Sequence, residues 1–297
     1  MATMRDLKRR IGSVQSSRKI TGAMKMISSA RKKRAELALN QARPYEEQLQ
    51  LLLNHISEAD CDYVSPLSEQ RKVSRVTLVV LSSNEGLSGA FNSNLYKKMQ
   101  ERVTALAQEG VARPEVYPIG KKIQNYLRRQ PAVEKREIPE QFPAGSTAEG
   151  VKVLTEELIR RFLAKETDRV ELIYTRYKSI GSQETVSLPL LPVRPRSEQL
   201  PKEQAGPDTP EKEHTYLYEP GRREILDVLY PLLVRTVFHK AFIENHVSEE
   251  AARILSMQIA NDNANKLLNR LQLDYNKLRQ QSITTELLDI TGGSVTE

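Results

Sequence analysis

The chain has almost no cysteine, no tryptophan and few aromatics of any kind, and each shortage removes a class of function. Cys61 is the single cysteine, so no disulfide can close within the chain and no thiolate-rich metal site can form. That fits a reducing compartment and leaves redox chemistry without a carrier. Aromatic residues make up only 5% of the sequence, and none falls among the basic residues of the first 43 positions. The stacking platform that single-stranded nucleic acid needs is therefore missing, although duplex binding by charge alone stays open. No segment approaches the ~18 consecutive apolar residues of a membrane span, and the N-terminus lacks the apolar core of a secretory signal. The expectation is a soluble or peripheral protein whose Arg-rich start is mature sequence rather than a transit peptide.

Acidic residues are also nearly missing from one end. Between Met1 and Arg43, twelve Lys or Arg face only Asp6 and Glu36, whereas the whole chain is only +7. The basicity marks a surface that has to lie against something acidic: nucleic acid, a membrane or an acidic protein. The same stretch holds no proline before Pro44, and the pattern past Pro44 continues helical, so residues 4 to 58 could form a rod of roughly 80 Å at 1.5 Å per residue. Its apolar or small residues recur at Leu7, Ile11 and Val14 and then, after a phase shift, at Ile20, Ala23, Ile27, Ala30 and Leu37.

The other end answers it. Ile254, Met257, Asn261, Ala264, Leu268, Leu271, Tyr275, Leu278 and Ser282 step by alternating threes and fours, the spacing of a coiled-coil seam. No glycine interrupts residues 222 to 289, and Gly292 and Gly293 follow. The simplest closure is an antiparallel coiled coil of the N-terminal helix (1–58) with the C-terminal helix (222–289). Between them, residues 70 to 195 alternate strand and helix patterns: strands near 76–82, 116–119, 169–177 and 185–193, helices near 94–108, 121–129 and 146–163. Such alternation predicts a small Rossmann-like α/β domain built on a parallel sheet, giving an α/β fold class overall. Residues 194 to 213, rich in Pro and charge and without an apolar anchor, read as a mobile surface loop.

Candidate chemistry is sparse. Asn84-Glu85-Gly86-Leu87-Ser88-Gly89 follows the first strand and opens a helix, the order in which phosphate sites are built. It has no third glycine in fingerprint spacing, and the chain contains no Gly-Lys-Ser/Thr loop, so turn geometry is the better reading. His239 and His246 stand seven apart on a helix face, but no HExxH-type pattern supports a metal beside them, nor beside His55 or His214. No nucleophile elbow is present, and Arg31-Lys32-Lys33-Arg34 reads as a solvated face or a phosphate contact. A basic coiled-coil nucleic-acid binder and a nucleotide-binding α/β enzyme remain alternatives at this level.

Several longer stretches are diagnostic: SVQSSRKITGAMKMISSARKKRA (13–35) with ARPYEE, EGLSGAFNSN after the first strand, YLYEP at 216–220, and MQIANDNANKL leading into LQLDYNKLRQQSITTELLDITGG. Over nearly its full length the chain resembles the gamma subunits of bacterial F-type ATP synthases. It departs at Ser88, where many members carry Cys, and lacks the cysteine-bearing insert of chloroplast members. The resemblance implies a non-catalytic rotor shaft without cofactor or metal, threading a ring of three alpha and three beta subunits and standing on the epsilon subunit and the membrane c-ring. It implies a peripheral protein of the cytoplasmic face of the bacterial inner membrane, with proton flow coupled to ATP synthesis or hydrolysis, and neither nucleic acid nor a small-molecule substrate bound by this chain. Carried over by motif, Met24 and Lys25 would face an acidic lever loop of beta, with Arg253, Gln280, Thr284 and Glu286 opposite. Arg279 and Gln280 are similar to the family's catch to a beta loop, and Tyr216, Tyr218 and Glu219 resemble the foot toward epsilon and the c-ring.

Overall fold

The computed structural model describes residues 3–59, 65–111, 113–130, 133–137, 148–193 and 218–293. Cys61, His214, Tyr216 and the 194–213 segment lie outside them. Two helices dominate: α1 spans Met4–Ala59 and α5 spans Arg222–Gly293. Each contains one proline, Pro44 and Pro231, and neither breaks its helix. Between them come β1 (Val76–Leu81), α2 (Phe91–Gln108), β2 (Glu115–Ile119), α3 (Lys121–Leu127), β3 (Glu134–Lys135), α4 (Ala148–Leu163), β4 (Arg169–Ser179) and β5 (Ser182–Leu191).

The five strands form one sheet in the order β3-β2-β1-β4-β5. β1 pairs parallel with β2 and β4, β2 parallel with β3, and β5 returns antiparallel along β4 as a hairpin. β1 reads Val-Thr-Leu-Val-Val-Leu and is buried at all six positions, as a central strand covered on both faces has to be. Its side chains alternate between two cores. Leu78 and Val80 join Leu95, Met99 and Leu106 of α2 and Ile123 and Leu127 of α3. Val79 and Leu81 join Leu154, Leu158 and Phe162 of α4, Leu49, Leu53 and Ile56 of α1, and Leu226, Tyr230, Val234 and Phe238 of α5. The two-residue β3 was invisible to pattern reading because period-2 alternation needs about four residues to register.

The chain divides into two compact units. One is Lys32–Ala252, which holds the sheet; the other joins Met1–Arg31 to Arg253–Glu297. The division cuts through both long helices rather than at their ends.

The C-terminal seam lies where the spacing places it: Ile254, Met257, Leu268 and Leu271 are buried, and Asn261, Ala264, Tyr275, Leu278 and Ser282 are half-buried. The N-terminal stripe does so only through Leu7, Ile11 and Val14. Ile20, Ala23, Ile27, Ala30 and Leu37 are all exposed. The inward row of α1 keeps one unbroken three-four rhythm through Leu7, Ile11, Val14, Arg18, Thr21, Lys25, Ser28, Lys32, Ala35 and Leu39, and of these only Arg18 is exposed. No phase shift occurs. Following the apolar residues led onto the opposite face, because the seam itself carries polar side chains.

Candidate functional site

Within the Met1–Arg31 and Arg253–Glu297 unit the two helices run antiparallel. As α1 advances seven residues from Arg18 to Lys25, its partner on α5 falls back seven, from Asn265 to Gln258. Arg18 Nη1 donates to Asn265 Oδ1 at 3.1 Å, Lys25 Nζ donates to Gln258 Oε1, and Asn261 Nδ2 donates to the Arg18 carbonyl at 3.3 Å. Asn265 Nδ2 closes the ladder on Asn261 Oδ1 at 3.2 Å. Gly22 packs against this ladder, and a Cβ there would make only ordinary contact, 3.4 Å from Asn261 Nδ2. Polar groups at seam positions fix register, because a slipped pairing leaves them facing apolar neighbours. Continued at that register, Met4 comes level with Arg279, and α5 runs on past it.

That placement sorts the expected contact residues. Arg279, Gln280, Thr284 and Glu286 are exposed, on the stretch of α5 level with or beyond the start of α1. Thr284 Oγ1 donates to the Gln280 carbonyl at 2.9 Å and Ser282 Oγ donates to Glu286 Oε1 at 3.2 Å. Met24 and Lys25 are half-buried, with Lys25 held on Gln258. Arg253 is different: at 1% exposure it is the largest fully buried side chain among the described residues, so its guanidinium is a core group and offers no surface to a partner. The sequence could not separate these cases, since a cation at a helical position reads alike buried or exposed. Of the expected foot, Glu219 is exposed, and Tyr218 is half-buried with the Arg222 guanidinium 4.8 Å over its ring.

The exposed apolar residues carry more information than the charges. Among the described residues of this helix-pair unit, Leu7, Ile254, Met257, Leu268 and Leu271 are the buried large apolar ones. Twice as many point outward: Ile20, Met26, Ile27, Leu255, Ile259, Leu267, Leu273, Ile283, Leu287 and Leu288, at 39 to 75% exposure. Among the described residues this apolar surface stays open to solvent.

The glycine loop after β1 is satisfied by its own chain. Asn92 Oδ1 accepts from the Ser83 N–H at 3.2 Å, and Asn92 Nδ2 donates to Ser83 Oγ at 2.8 Å. The first three N–H groups of α3, which would otherwise face an anion, go to Asn84 Oδ1, the Ser83 carbonyl and Ser82 Oγ at 3.1, 3.2 and 3.0 Å. Gly120, at φ +102, allows that contact, because a Cβ would lie 2.3 Å from the Ser82 carbonyl oxygen. Leu87 and Gly89 take left-handed φ values of 66 and 58°, so the loop is a tight turn into α2. Of the histidines, His239 is held below its ordinary range by burial and then by Arg235, and His246 Nδ1 lies 3.8 Å from Glu249 Oε2. Among the described residues no group of three or more His, Cys, Asp or Glu is placed to hold a metal ion.

Sequence reasoning missed a polar joint on the Lys32–Ala252 side, where residues 174–177 of β4 meet the long helices. Thr175 N–H donates to Asn245 Oδ1 at 3.0 Å, and Ser248 Oγ donates to the Thr175 carbonyl at 2.8 Å. Nearby, Lys240 Nζ lies 2.5 Å from Glu46 Oε2 and Arg43 Nη2 lies 3.9 Å from Glu244 Oε1. The Lys32 ammonium stands 5.2 Å over the Tyr177 ring. Burial, and then the Glu244 charge, push the Tyr174 phenol up to about 12, and burial raises the Glu244 carboxyl despite Lys240 and Arg176. Nothing in the sequence signals pairings across some 70 residues.

A family model described as ATP synthase matches residues 3–295. An ATP synthase gamma chain of Bacteroides fragilis is 39% identical over 303 residues, covering 99% of this chain and 100% of that one. The chain belongs to the ATP synthase gamma chain family. A second relative, the ATP synthase gamma chain of Flavobacterium psychrophilum, is 36% identical over 99% of this chain and 98% of its own. In fold, the gamma-family chain is similar to a chain of the Euglena gracilis mitochondrial ATP synthase rotor, with a TM-score of 0.61 at 19% identity over 94% of this chain and 98% of that one. It is also similar to a chain of the Tetrahymena thermophila mitochondrial ATP synthase central stalk and c-ring, with a TM-score of 0.55 at 21% identity over 81% of this chain and 99% of that one. No helix among the described residues is long and apolar enough to cross a membrane.

Proposed function

We propose that the chain is the central rotor shaft of a bacterial ATP synthase. It turns inside a ring of three alpha and three beta subunits, and its foot meets the epsilon subunit and the membrane c-ring. It is non-catalytic and binds no cofactor; it passes rotation between proton flow in the membrane and ATP chemistry in the ring. It works at the cytoplasmic face of the inner membrane without entering the bilayer.

The observation that carries this reading is the helix-pair unit, which among its described residues exposes ten large apolar side chains and buries five. A slender pair of that composition is incomplete alone and suits an enclosing partner with an apolar lining. Because its faces differ, three surrounding sites meet three different surfaces at any instant, and turning exchanges their states. The basic residues of α1 add attraction to acidic loops without fixing one pose, since exposed ion pairs are worth only ~0–1 kcal/mol each.

In this arrangement Met24 and Lys25 meet the lever loop of beta. Arg279 and Gln280 make the catch, where the planar guanidinium gives a charge-assisted fork that holds one angle until torque breaks it. Thr284 and Glu286 tune that contact, and Tyr218, Glu219 and Tyr216 form the foot. Arg253 acts from within the core.

Two measurements test the reading. With the complex fixed by its beta subunits and a probe on the sheet unit, ATP should drive one-directional rotation; a static probe on an ATP-hydrolysing complex would overturn the shaft. Met24→Lys, which adds a cation beside Lys25, should lower proton pumping per ATP hydrolysed in reconstituted vesicles, and unchanged pumping would remove the role given to that position.

A further inference from the structure

Along α5 the grip on the sheet changes character. From Leu226 to Ala241 it is apolar, through Leu226, Tyr230, Leu233, Val234 and Phe238. In the last turns before Ala252, where the sheet unit ends, buried polar residues join the apolar ones: Glu244, Asn245 and Ser248, at 4, 6 and 0% exposure, flank Val247 at 0%. Asn245 and Ser248 close on one residue of β4. Thr175, itself 3% exposed, lies two positions past Ile173, the last residue of β4 to pair with β1. Its N–H and C=O therefore emerge on the edge where β1 has stopped. Asn245 accepts from the first and Ser248 donates to the second, so two side chains of a helix replace the missing strand.

We propose that the Asn245–Thr175–Ser248 clamp is the torsional joint of the shaft, the place within the sheet unit where twist passes between β4 and α5. This rests on the rotor reading above. Apolar packing holds α5 by shape, but it is non-directional and carries no bond that pins one backbone atom to one side chain. Two hydrogen bonds of opposite sense on one buried backbone residue resist both rotation and axial slip, because either movement strands a buried N–H and a buried C=O at once. Asn245 and Ser248 are positioning residues: they touch no nucleotide, and their effect is on the angle delivered.

The test uses the complete ATP synthase carrying this chain, with Cys61→Ser to clear the background and Ile180→Cys, at the exposed β4–β5 turn, to hold a rotation probe. The readout is the angular variance of the probe during a catalytic pause. In the double variant Asn245→Leu, Ser248→Ala, loss of both buried bonds should raise that variance about twofold, with unloaded ATP hydrolysis unchanged. Ser248→Thr, which keeps the hydroxyl, should leave the variance at the parent value, and Ser248→Ala alone should give a smaller rise if the double variant fails to assemble. Variants that melt earlier yet pause as narrowly as the parent would overturn the joint, since a merely structural clamp predicts that result. A parent complex that hydrolyses ATP without rotating would instead overturn the rotor reading itself.

Discussion

The two compact units of this chain solve opposite problems with the same two helices. In the Lys32–Ala252 unit, α1 and α5 are covered by a sheet and α4, and their apolar residues point into a core shared with β1 and β4. In the Met1–Arg31 and Arg253–Glu297 unit they pack on each other, the seam is partly polar, and among the described residues large apolar side chains face outward. One unit carries its own stability. The other leaves apolar surface for something outside the chain, which is what a shaft that must turn in a lining requires.

The largest effect should separate the units by core truncation. Phe162→Ala removes a fully buried ring from the sheet unit and should cost about 3–5 kcal/mol in denaturant unfolding. Leu268→Ala, in the narrow seam, should cost about 2 kcal/mol, the low end for such truncations, because water and neighbours reach the gap. Equal losses would mean that the helix pair has a core of the ordinary kind, and the contrast would fail.

These units also differed in how far they could be read beforehand. The sheet's main strands and the seam of α5 were legible because apolar residues occupy most of the positions that define them. The seam of α1 was not, because Lys25, Ser28 and Lys32 sit in it while Ile20 and Ile27 sit outside it. Apolar periodicity there traced the outward face, which is itself informative once the structure shows what it is. Arg253 and the Asn245–Thr175–Ser248 clamp were beyond reach for another reason. Burial of a cation and pairing of a helix side chain with a strand backbone are set by tertiary placement, which no local pattern encodes.

Next in size is an acid-sensitive tie in the sheet unit. Asp168 Oδ2 accepts from Ser74 N–H at 3.0 Å, Ser74 Oγ at 2.9 Å and Arg75 N–H at 2.8 Å. Burial works to raise its carboxyl, but these bonds from Arg75 and Ser74 outweigh it and leave the group below its ordinary 3.8. A lowered folded value means that its stabilisation is present above 3.8 and lost as pH falls through the folded value. Asp168→Asn should cost about 1–3 kcal/mol at pH 7, and the gap to the parent should close in strong acid. Melting curves over pH check this, and a gap that stays constant would contradict the assignment.

A smaller effect is expected at the polar seam of the helix pair. Asn261→Ala removes the donor to the Arg18 carbonyl and the acceptor for Asn265, and should cost about 1 kcal/mol while loosening register. Amide exchange along residues 4–31 reads it, and unchanged protection there would show that the ladder does not set register. The smallest effect lies on the outward face, where Ile27→Ser in the isolated chain should change stability by no more than about 0.5 kcal/mol. A larger loss would mean that this face is already packed.

The most direct test of the central claim places a cysteine on that face. With Cys61→Ser as background, Ile27→Cys and Ile259→Cys should react rapidly with a polar thiol reagent in the isolated chain, and become strongly protected once three alpha and three beta subunits are assembled around it. Equal labelling rates, free and assembled, would show that the outward apolar surface of the helix pair is not what the ring encloses.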